Sequence, residues 1–97
     1  MKAYEVLEQY DWVQGIYAVD DTGRMCPSSS EKACAFCLLG AIERAYPPSE
    51  WFKMASKVRD ELNKLSMKEA SWPISIWNDA VERTKEEVVA LLRRADV

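Results

Sequence analysis

Apolar residues along the chain fall into four stretches of helical spacing, separated by turn chemistry. Ala3, Val6, Leu7 and Tyr10 recur at steps of three and four residues, which is one helix face, and predict a first helix from about Lys2 to Asp11. Gly15 releases the chain into a short apolar run, Ile16 to Val19, which the turn residues Asp20, Asp21, Thr22 and Gly23 end. With Arg24 to Cys26 returning, residues 16–26 read as a minor β-hairpin, too small to stand alone in water and so expected against the helices. Ser28 and Glu31 have capping-box spacing, which predicts a second helix over about 29–46. That helix would hold the most apolar stretch, Ala33 to Ile42, and so be central and covered on most sides. Gly40 inside it disfavours helix by about 1 kcal/mol relative to Ala. Its presence implies a close helix neighbour on the small-residue face of Ala33, Cys37, Gly40 and Ala41.

Pro47 and Pro48 end this segment, and Ser49 is placed to cap the next helix. From Glu50 to Leu65 one stripe contains Trp51, Met54, Ala55, Val58, Leu62 and Leu65. Regularity falls over 66–83, where Trp72-Pro73 disfavours helix. Thr84 and Glu87 form a second capping box, and a last helix over about 85–95 offers Val88, Leu91, Leu92 and Ala95 to the core. Arg93 and Arg94 in its final turn suit the helix dipole. The fold expected is mainly α: a compact four-helix single domain over 1–97, with a minor β-hairpin near 16–26.

Composition narrows the classes. Ten aromatics and 48% hydrophobic residues are too many for a disordered chain. A net charge of −3 opposes a general grip on nucleic acid, which needs concentrated Lys and Arg. Lys53, Lys57, Lys64 and Lys68 do recur along the third helix, but Asp60 and Glu61 interrupt them and Lys57 and Glu61 are spaced to pair, so the row reads as a solvated face. The longest apolar run is half a membrane span, and the N-terminus lacks a signal-peptide core. Three cysteines without a signal segment read as thiols of a cytoplasmic protein. Neither membrane nor nucleic acid is expected as a partner.

Candidate chemistry is sparse. No histidine is present, which removes the usual general base and zinc ligand together. Cys34 and Cys37 make a C-x-x-C pair with Cys26 upstream, but a fourth zinc ligand is missing. The pair is also expected more than a turn inside a helix, not at the N-terminus where redox pairs work. Plain thiols, with no metal, no cofactor and no catalytic residue, are therefore expected. Trp77-Asn78-Asp79 supports two readings. As a structural lock, Trp77 buries its ring, Asn78 and Asp79 accept N–H groups from a neighbouring turn, and Asp79 pairs with Arg83. As a ligand site, Trp77, Asn78 and Asp79 share a polar pocket with Trp12, Gln14 and Cys37.

Three pieces of the chain, Trp12-Val13-Gln14-Gly15, Phe36-Cys37-Leu38-Leu39-Gly40-Ala41, and Ile76-Trp77-Asn78-Asp79 followed by Arg83-Thr84 and Glu87-Val88, together resemble a family of small bacterial and bacteriophage proteins classed as a domain of unknown function. The resemblance runs from Trp12 to about Leu92. It implies a bacterial or phage source and a cytoplasmic location, and it names no substrate.

Two function classes follow. One is a non-catalytic protein-interaction module of bacterial or phage origin, whose partner is another protein such as a host factor or defence complex. The other is a small-molecule-binding domain or minor enzyme using a pocket of Trp12, Cys37, Asn78 and Asp79. A deep pocket on which Asn78 and Asp79 converge favours the second. A flat, aromatic-rich exposed patch favours the first.

Overall fold

The chain opens as a helix, α1 (Ala3–Gln9), which buries Ala3, Val6 and Leu7 as their spacing requires. The computed structural model describes residues 1–65, 68–69 and 71–97. Through them the chain continues as β1 (Asp11–Trp12), β2 (Ala18–Asp20), β3 (Ala33–Phe36), α2 (Leu38–Ala45), α3 (Pro48–Leu65), α4 (Ile74–Asn78) and α5 (Lys85–Ala95). The fold is mainly helical with a small β element. In place of four helices and a hairpin, the described residues hold five helices and a three-stranded sheet.

The largest departure is the second helix, expected over 29–46 but beginning at Leu38. Its apolar first half is instead the central strand. β1 pairs parallel with β3 (Asp11 with Ala35, Trp12 with Phe36), and β2 pairs antiparallel on the other side (Ala18 with Phe36, Val19 with Ala35). A continuous apolar run suits either a buried helix or a central strand, and here two neighbours take up its backbone. Ser28 caps nothing: its hydroxyl donates to Glu43 at 3.0 Å. Arg44 Nη1 donates to the Ser28 and Ser30 carbonyls at 3.1 and 2.7 Å, which holds that segment in a turn rather than a helix start. The hairpin survives in part. Gly23 turns the chain at φ 83° and Met25 bridges Val19, but the main partner of β2 is β3.

Gly40 does permit a close approach, though not by a helix. A Cβ there would lie 2.0 Å from the carbonyl oxygen of Tyr17, so α2 presses on the backbone of the loop before β2. That same oxygen accepts the Cys37 N–H at 3.1 Å.

α3 starts at Pro48, where a missing N–H costs nothing, so Ser49 lies in the first turn and not at the cap. It buries Val58 and Leu62 and packs on α2 and α5. Lys57 donates to the Asp96 carbonyl rather than pairing with Glu61, which takes Lys64 at 3.1 Å. Within the stretch 66–83, residues 66, 67 and 70 lie outside the described residues, and α4 forms just after Pro73. α5 follows its sequence signals: Thr84 accepts the Glu87 N–H, and Val88, Leu91, Leu92 and Ala95 are all buried. Phe36, Leu38 and Ile42 are among the largest fully buried side chains and share one hydrophobic cluster with residues of α1, α3 and α5. Among the described residues, no helix is long and apolar enough to cross a membrane.

Candidate functional site

Asn78, the last residue of α4, is 1% exposed, and every polar atom of its side chain is engaged. Its Oδ1 accepts the indole N–H of Trp12 at 2.8 Å and the backbone N–H of Leu38 at 3.1 Å. Its Nδ2 donates to the Val13 carbonyl at 3.3 Å and to Asp79 Oδ1 at 2.9 Å. Asp79 Oδ1 also accepts the N–H of Gly15, which sits at φ 79°, at 2.9 Å. Gln14 Nε2 donates to the carbonyls of Asn78 and Ala80 at 2.9 and 2.8 Å. Trp12, Gln14, Asn78 and Asp79 therefore form one network that fastens residues 12–15 to the end of α4 and the start of α2.

The expected Asp79–Arg83 pair is absent. Arg83 is 8% exposed and donates to the Trp77 carbonyl at 2.8 Å, to Glu69 at 2.5 Å and to Glu87 at 3.0 Å. Its guanidinium lies 3.9 Å from the centre of the Trp77 ring, a stacked cation–π contact. Trp77 is buried as expected, but it lines the hollow of Arg83 and Glu87, apart from the Asn78 network.

Cys37 is not inside the helix. It is the N-cap residue of α2, and its Sγ accepts the Gly40 N–H at 3.3 Å, while Cys34 lies in β3. Burial raises the Cys37 thiol above its ordinary value, against the lowering effect of the Gly40 and Leu39 N–H groups. A protonated, buried thiol is a poor nucleophile. All three cysteines are free, and among the described residues no three Cys, Asp or Glu side chains are grouped to hold a metal ion.

Cys37, Asn78 and Asp79 border a cavity of about 110 Å³, together with Gly15, Tyr17 and Ser75. Small-molecule pockets run to roughly 300–1,000 Å³. Trp12 and Gln14 do not line it; their polar atoms face the network.

Beside this cavity lies a feature that periodicity did not disclose. Tyr17, Met25 and Phe52 are 49%, 76% and 86% exposed. A hollow of about 460 Å³ bordered by Ile16, Tyr17, Met25, Pro27 and Glu43 adjoins one of about 180 Å³ bordered by Tyr17, Leu39, Glu43, Trp51 and Phe52. Tyr17 and Glu43 belong to both, so the two form one apolar face over the loop before β2, α2 and α3. The available signal was phase: Phe52 stands one residue beyond Trp51, a quarter-turn or more off the buried stripe of α3.

Residues 1–96 match the model of a family of unknown function (DUF6197), and the chain belongs to that family. No curated protein and no solved structure matches it.

Proposed function

We propose that this member of the family is a non-catalytic module that binds another protein through the face around Tyr17, Met25 and Phe52. The observation that carries the reading is their exposure at adjoining apolar hollows. Aromatic residues dominate the energetics of interfaces, and two of the three exposed side chains here are aromatic. Each Å² removed from water there contributes about 25 cal/mol. The engaged state of Asn78 supports the same reading, because it leaves little polar capacity to orient a small ligand. Three free thiols suit a reducing compartment, and with the bacterial or phage resemblance they favour the cytoplasm.

Affinity purification from the native host tests the proposal, with Phe52→Ser beside the wild-type chain. The expected result is a protein recovered stoichiometrically with wild type and lost from the variant, while both melt alike. Equal recovery by both would remove this face as the interface.

A further inference from the structure

Glu43 stands where the two hollows meet. Its side chain belongs to a half-buried residue of α2, and its Oε1 takes the Ser28 hydroxyl at 3.0 Å. Among the described residues, no Lys or Arg forms an ion pair with it. The adjacent Arg44 is directed elsewhere, to the Ser28 and Ser30 carbonyls and over the Phe36 ring at 5.7 Å. A carboxylate in the middle of an apolar docking face is costly to cover unless the covering surface brings a positive charge.

We infer that the occupant of this face is a protein segment with a Lys or Arg flanked by apolar side chains, the cation meeting Glu43 and the apolar residues filling the hollows beside Met25 and Phe52. The inference rests on the interaction reading given above. A purely apolar segment would bury Glu43 without a counter-charge, its one hydrogen bond from Ser28 notwithstanding, and an acidic one would be repelled. A second copy joined by a two-fold axis at this face would bring two Glu43 carboxylates together. The net charge of −3 also steers a cationic segment toward the chain. The rings of Tyr17 and Phe52 beside Glu43 add cation–π attraction for such a group.

Selection of a random-peptide display library on the immobilised full-length chain tests this, followed by titration of enriched synthetic peptides into wild type, Glu43→Gln and Phe52→Ser. Gln retains an acceptor for Ser28, and thermal melts establish that both variants fold. The expected peptides share a Lys or Arg between apolar residues, bind about tenfold or more weakly to each variant, and weaken as salt rises. Peptides that depend on Phe52 but carry no cation, or ignore Glu43→Gln, overturn the basic occupant while the interaction face stands. Peptides indifferent to Phe52→Ser, or no enrichment, overturn both. Self-association of wild type that Phe52→Ser abolishes replaces the basic segment with a second copy.

Discussion

At position 40 a single hydrogen atom separates α2 from the Tyr17 backbone. A methyl group there would sit 2.0 Å from the carbonyl oxygen and 2.9 Å from its carbon, and a backbone cannot swing aside as a side-chain tip can. Gly40→Ala gains about 1 kcal/mol of helix propensity. We nonetheless expect a net loss on the order of 1–3 kcal/mol, because the loop must be displaced. Urea unfolding measures it, and a variant as stable as wild type would mean that α2 and the loop do not meet so closely in solution. Asn78 and Asp79 should differ in kind. Truncating Asn78 strands the Trp12 and Leu38 donors in a buried place, which costs roughly 2–4 kcal/mol, whereas Asp79 is exposed and its loss roughly 0.5–1.5 kcal/mol. The expected order of melting temperatures is Asp79→Asn above Asp79→Ala above Asn78→Ala. The reverse order would count against a structural role for the network.

At the scale of elements, α5 begins with a charge device. Glu87 completes the capping box with Thr84 and also takes Arg83 Nη1 at 3.0 Å. Burial acts to raise its pKa, but the Thr84 and Arg83 bonds outweigh it, so its carboxyl is held below the ordinary 4.5. A lowered carboxyl stabilises fully above 4.5 and ceases to do so as pH falls through its folded value. Glu87→Gln should therefore melt below wild type at neutral pH, with the gap narrowing as the pH is taken progressively below 4.5. A gap independent of pH would mean that the ionised carboxyl contributes nothing. α5 was legible because cap, stripe and C-terminal arginines agree on the same boundaries. β3 was not, since Ala33 to Phe36 is apolar on successive positions and carries neither the helical nor the alternating period. The two-residue β1 is below any pattern at all. The site was legible in part: Asn78 and Asp79 were expected to accept N–H groups from a neighbouring segment and do so, whereas Trp12 and Gln14, expected beside them in a ligand pocket, are instead hydrogen-bonded to residues 78–80. Arg83 was misassigned because Asp79 and Glu87 lie at equal spacing on either side of it. Asp79 is taken by Gly15, and that preference is decided by residues more than sixty positions away.

For the molecule as a whole, the exposed face contributes little to holding the fold together. Phe52→Ser is expected to change stability by no more than about 0.5 kcal/mol, as surface substitutions do. Calorimetry compares the two, and a large loss would mean that Phe52 packs into the core in solution. The clasp between residues 12–15 and 78–80 has a consequence in time. Its bonds join residues 64 to 66 positions apart, so a loop of that length must close before any of them can form. We expect such contacts to be gained on the native side of the folding barrier. Asn78→Ala should then leave the refolding rate nearly unchanged and put its cost into faster unfolding. Stopped-flow measurements separate the two limbs, and slowed refolding would place the clasp in the nucleus instead. If it closes last it also opens first, and the buried Asn78 amide then contributes to the lifetime of the native state as well as to its stability.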